Sequence, residues 1–124
     1  MRVAGIGYRE GAAPEALAAA LREVLARAEA AGGPVAALAT LPGKVAGLRA
    51  LGQARGLPVL GVAVAGVPTP TRSARIEALH GTGSVAEAAA LAAAGPRARI
   101  TVARIIAPGG MATCAIAEMR GQDA

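Results

Sequence analysis

Three short apolar runs alternate with two amphipathic stretches, and that alternation limits the chain to few folds. Residues 3–7, 35–40 and 59–64 are almost entirely Val, Leu, Ile, Ala and Gly, the pattern of strands covered on both faces. Between the first two runs, Pro14–Ala31 sets Leu17, Leu21, Val24, Leu25 and Ala28 on one helical stripe. Between the second and third, residues 44–55 read as a helix with Val45, Leu48 and Leu51 as its buried row. Gly32-Gly33-Pro34 and Gly56-Leu57-Pro58 stop the two helices, glycine supplying a left-handed cap and proline forbidding continuation. The order predicts an α/β fold, a three-layer α/β/α sandwich around a mainly parallel sheet.

The last third changes character. Residues 66–70 form a proline-punctuated loop, residues 73–79 a short helix, and Val85–Ala94 a longer one closed by Gly95-Pro96. Arg97, Arg99 and Thr101 alternate with Ala98, Ile100 and Val102, a half-buried strand. Pro108-Gly109-Gly110 then turns the chain into a strand over 112–117, so these two are expected to pair antiparallel and the sheet to be mixed. The tail, residues 121–124, is expected to be frayed. With no repeat or linker visible, one domain over 1–124 is expected.

Hydrophobic residues make up 54% of the chain but aromatic residues only 1%, the single Tyr8, so the core must be aliphatic and its backbones closely packed. A net charge of +5 favours anionic partners. Nucleic acid is not expected, because the basic residues are scattered and no Phe or Trp is present to stack on bases. Nor is a membrane, since the longest apolar run, 57–67, is too short to span one and contains Pro58. Arg9 and Glu10 interrupt any signal-peptide core, and the lone Cys114 suits a reducing compartment, so a cytoplasmic location is expected.

Polar groups crowd into residues 71–91. Thr71, Arg72 and Ser73 stand at the loop exit, and Gly81 and Gly83 flex the turn before Ser84-Val85-Ala86-Glu87, a capping box. Capping accounts for Ser84 and Glu87; the glycines let the backbone approach a neighbour. Opposite this wall the strand order places the loop Gly5-Ile6-Gly7-Tyr8-Arg9-Glu10-Gly11, either an anion-holding turn at a helix start or simply a tight turn. Its spacing is not the dinucleotide fingerprint, and Thr40 stands where a ribose-binding acid would be. A phosphate or nucleotide-binding module therefore remains an alternative. Lys44, the only lysine among 13 basic residues, lies at a helix start where a cation is mildly unfavourable, which suggests a partner; a solvated surface lysine is the alternative.

Among groups capable of proton transfer, Lys44, His80 and Glu87 are the candidates. His80 is the only histidine and has no second ligand nearby in sequence, so neither a metal nor a cofactor is expected. Cys114 reads as a small buried residue and not a nucleophile. The expected binding set is Gly5, Gly7, Tyr8, Arg9, Thr40 and Lys44 on one side and Thr71, Arg72, Ser73, Gly81, Gly83 and Ser84 on the other.

Five segments carry a resemblance. The Gly5 to Gly11 start, Ala39-Thr40 followed by Lys44, Thr71-x-Ser73, Gly81-x-Gly83-Ser84-Val85-Ala86-Glu87 and Met111-Ala112-Thr113-Cys114-Ala115-Ile116-Ala117 together resemble the CobE/CbiG C-terminal domain family of cobalamin biosynthesis. The resemblance implies an α/β/α domain that handles corrinoid intermediates. In CbiG-type proteins such a domain ends a larger enzyme that opens a lactone ring on a cobalt-precorrin and releases acetaldehyde. No preceding domain is expected, and the chain resembles the standalone CobE type, for which corrinoid binding as a carrier or accessory factor is expected. A hydrolase-like enzyme acting on a precorrin is the alternative, and other enzymes of the pathway are possible partners. Two departures stand out: Tyr8 occupies a position where the family often has cysteine, and no acidic residue follows Lys44 closely. The macrocycle is an apolar disc rimmed by carboxylates, which would suit glycines for close approach and Arg9, Lys44 and Arg72 as edge cations.

Overall fold

The computed structural model describes residues 1–31 and 34–119. Its five strands are β1 (Arg2–Tyr8), β2 (Ala37–Thr40), β3 (Val59–Gly61), β4 (Arg99–Ile106) and β5 (Ala112–Glu118). The helices are α1 (Pro14–Ala31), α2 (Arg49–Arg55), α3 (Ala74–His80) and α4 (Val85–Ala94). One sheet holds all five strands in the order β3-β2-β1-β5-β4. β1 pairs parallel with β2 and β2 with β3, while β5 lies antiparallel between β1 and β4. Four strands thus point one way and only β5 runs against them, giving the mixed, mainly parallel α/β/α sandwich that the sequence predicts.

Strand alternation divides the core between two layers. Ala4, Ile6, Leu38, Cys114 and Ile116 face α1, which buries Leu17, Leu21, Val24 and Ala28 as its periodicity requires. Val3, Ala39 and Ala117 face α4 and meet Ala88, Ala89, Ala90 and Ala94. On that side, at Gly5, α4 approaches the sheet with no side chain between the two backbones. A Cβ placed on Gly5 would stand 1.8 Å from the carbonyl oxygen of Ala86 and 2.7 Å from the amide nitrogen of Ala90. Only glycine permits this contact.

Several boundaries differ from expectation. The helix expected over 44–55 is broken into two 3-10 turns, Pro42–Lys44 and Ala46–Leu48, before α2 begins. The Tyr8 hydroxyl donates to the Lys44 carbonyl at 2.5 Å, the acceptor that a continuous helix would give to the Leu48 amide. That amide donates instead to Val45 O at 3.0 Å. β2 starts at Ala37 and β3 is only three residues long, an edge strand with Leu60 exposed, instead of a run buried on both faces. β4 starts two residues later than expected and continues to Ile106, with register shifts between Ile100 and Val102 and between Val102 and Ile105. The Gly32-Gly33 stop of the first helix and the tail at 121–124 lie outside the described residues.

The α4 contact generates a stability prediction. Gly5→Ala is expected to cost about 3 kcal/mol or more, because backbone and not a pliable side chain must yield. Urea unfolding would measure it, and a variant with an unchanged midpoint would show that strand and helix can part there freely.

Candidate functional site

The carboxyl ends of β1, β2 and β4 and the start of β5 open onto a cleft of about 560 Å³. Binding sites in open α/β sheets form at this end because the loops diverge there. From β1 come Gly7 and Tyr8, followed by Arg9 and Glu10; the segment after β2 brings Leu41 and Lys44. The α3 wall provides Ser73, Arg75, Ile76 and His80, and the start of α4 provides Ser84 and Val85. Arg104 and Ile106 of β4 and residues 110–113 complete it.

Local chemistry explains how these residues reach the cleft. Ser73 and Ser84 are N-caps, accepting from Ile76 N at 3.4 Å and Glu87 N at 3.3 Å. His80 ends α3, which Gly81 closes in the left-handed conformation at φ 71°. Tyr8 holds the loop after β2: its hydroxyl is bound to Lys44 O, and the Lys44 ammonium lies 4.7 Å from its ring centroid. Burial raises the Tyr8 pKa above its ordinary 10.0, and a hydrogen bond from the Gly47 backbone works the other way. Arg9, Lys44, Arg75 and Arg104 therefore confront a single acid, Glu10, with the imidazole of His80 beside them.

Of the residues expected from sequence, Gly7, Tyr8, Arg9, Lys44, Ser73, His80 and Ser84 line this cleft. The others are placed elsewhere. Gly5 is covered by α4, and Thr40, fully buried, donates its hydroxyl to Ile6 O at 2.7 Å. Arg72 pairs with Glu77 and, with Gly81 and Gly83, borders a separate cavity of about 240 Å³. Thr71 turns to Glu87, which it bonds through both its amide and its hydroxyl at 2.9 Å. Glu87 is 0% exposed and accepts a third bond from the Arg104 amide at 3.0 Å. The capping box is thus half made: Ser84 caps the helix, but the Glu87 carboxylate reaches Thr71 and β4 and lies away from the cleft. The β1–α1 loop offers less to an anion than its glycines suggest, since Arg9 N donates to Met111 O and Ala12 N to Arg9 O. Among the described residues, no group of three or more His, Cys, Asp or Glu could hold a metal ion. None of the described helices is long and apolar enough to cross a membrane.

A family model described as "Cobalamin synthesis G C-terminus" matches residues 2–117. The chain belongs to this family. Among solved structures, this cobalamin synthesis G C-terminus domain is similar to CobE, a protein from the cobalamin (vitamin B12) biosynthetic pathway. The two share 33% identity at a TM-score of 0.79, with 97% of this chain and 91% of the other covered. It is also similar to the cobalamin biosynthesis protein chiG from Agrobacterium tumefaciens, at 36% identity and a TM-score of 0.66, covering 96% and 98% of the two chains. No curated protein matches. The domain takes part in cobalamin biosynthesis.

Arg75, Arg104, Ile106 and Met111 also line the cleft of this family domain, outside the binding set expected from the sequence. A helical spacing signal existed for the α3 wall, because Ser73, Ile76 and His80 fall at i, i+3 and i+7. No comparable signal marked Arg104, which lies beyond the alternating residues 97–102.

Cys114 sits on β5 just below this end of the sheet, fully buried, and burial pushes its thiol up to about 12 against a weaker opposing bond from Ala115. The unfolded chain loses this proton near the ordinary 9.0, whereas the folded chain retains it to about 12. Stability from this group is therefore full below pH 9 and declines as pH rises toward 12. Denaturation at stepped alkaline pH should show that decline, and Cys114→Ala should flatten it. A thiol reagent should label the native protein no faster than it unfolds.

Proposed function

We propose that the domain binds a corrinoid intermediate or product of the cobalamin pathway in the cleft at the strand ends, as a carrier or accessory factor. One observation carries this reading: four cationic side chains and an imidazole border a cleft whose walls include Ile76, Val85, Ile106 and Met111. A corrinoid presents the complementary surfaces, an apolar disc edged with carboxylates. The cations come from four separate segments, so they can meet carboxylates around a ring and not merely at one point. The cleft volume, about 560 Å³, falls within the range of small-molecule sites, and its open side leaves room for the rest of a macrocycle.

Catalysis on such a ligand is the second reading, and it rests on Lys44 and His80 lining the same cleft. Incubation with successive precorrins separates the two, because a change of product mass supports turnover and unchanged mass throughout removes it.

Titrating the protein with pathway corrinoids at micromolar concentration should shift their visible absorbance bands and saturate. No spectral change with any of them would sink the proposal. Lys44→Ala should weaken binding about 10- to 150-fold if the lysine makes one charged hydrogen bond worth about 1.5–3 kcal/mol. Added salt should weaken binding to the parent more than to that variant.

A further inference from the structure

The short helix α3 contributes Arg75, Ile76 and His80 to the cleft, yet none of its residues is buried. Its Leu79 is 59% exposed, so apolar packing does little to anchor it. Polar ties at its two ends do that work. At the far end Gly66 N donates to Gly81 O at 2.9 Å; at the near end Ser73 N donates to Gly83 O at 2.8 Å. The near end has one further anchor, the two bonds from Thr71 to the buried Glu87 carboxylate.

The same carboxylate holds the opposite wall. Between the pairs Val102↔Ile116 and Ile105↔Cys114, β4 carries two residues, Ala103 and Arg104, against the single Ala115 of β5. This is a bulge, and the Arg104 amide within it donates to Glu87 Oε2. Arg104 and Ile106 on that strand face the cleft across from α3. One buried side chain on α4 therefore ties both walls, and it does so without lining the cavity.

We propose that Glu87 is a positioning residue that sets the spacing between the α3 and β4 walls and thereby controls ligand affinity; the affinity part rests on the corrinoid reading of the cleft. Its chemistry suits the role. All three partners are donors, two of them sharing Oε2 and one using Oε1, so only an acceptor at both oxygens satisfies them. A glutamine in either amide orientation would turn its NH₂ group against at least one N–H or O–H donor.

Two variants of different severity test this. Thr71→Val removes one hydroxyl donor in the loop and leaves the core untouched, so it keeps the test open should Glu87→Gln fail to fold. Native-state amide exchange needs no ligand. Thr71→Val should raise exchange over residues 72–80 alone, and Glu87→Gln over 72–80 and 103–106, with β1 and α1 unchanged in both. Corrinoid affinity should fall several-fold in Thr71→Val and about tenfold or more in Glu87→Gln at temperatures where both are folded, and Thr71→Ser should restore it. Uniform loss of protection across the sheet would overturn the proposal, as would unchanged affinity alongside loosened walls. If the parent protein binds no corrinoid, the function proposed above fails, and the exchange pattern alone decides whether Glu87 ties the two walls.

Discussion

Helix α4 lies on β1 with no side chain between the two backbones at Gly5, and much of the structure follows from that contact. A helix this close to a sheet must present small residues, and α4 presents Ala86, Ala89, Ala90 and Ala94. Such a face gains little from apolar area per residue, so it depends on fit, and a methyl group added at Gly5 meets a backbone. The approach also fixes where α4 begins. Ser84 and Val85 stand at the cleft because the helix is seated against β1. At Gly7, one pleat further along, the nearest neighbours are side chains, and a Cβ would lie 3.0 Å from Thr113 Oγ1 and 3.3 Å from the Cβ of Val85.

With α4 seated, the polar residue on its first turn becomes a structural hub. Glu87 is buried among alanines and has three donors converging on it from two segments. Burying a carboxylate is costly unless it is fully bonded, and leaving its partners without it is costly as well. The layout therefore favours one relative placement of the residue 71 loop, the β4 bulge and the helix start. Rigidity reaches the cleft from behind its walls, while the rim, with Arg9 and Arg75 exposed, stays free to adapt.

Features set by local periodicity could be read directly from the chain. Leu17, Leu21, Val24 and Ala28 in α1, the cap Ser84, and the antiparallel pairing of the last two strands all follow from neighbours within a few residues. Features set by distant partners could not. The helix expected over 44–55 is broken by a hydroxyl 36 positions away in sequence, and Glu87 finds donors 16 and 17 positions away instead of its own N-cap amide. Arg104 carries no local signal for a related reason: a bulge shifts the alternation from which strand faces are inferred. Arg72 reads as an edge cation beside Ser73 in a polar run, yet its pairing with Glu77 uses its charge within α3's own surroundings. The strand-end rule located the cleft, and the rotation of individual side chains decided which residues entered it.

Tyr8, which clamps the loop after β2, is the only aromatic side chain in a chain with no Trp or Phe, and it lines the cleft. The protein's intrinsic ultraviolet emission therefore originates from one ring at one place. A coloured macrocycle seated against that ring would quench it by energy transfer, with no other residue contributing background. The same scarcity that forces an aliphatic core thus leaves the molecule with a built-in optical probe of this cleft.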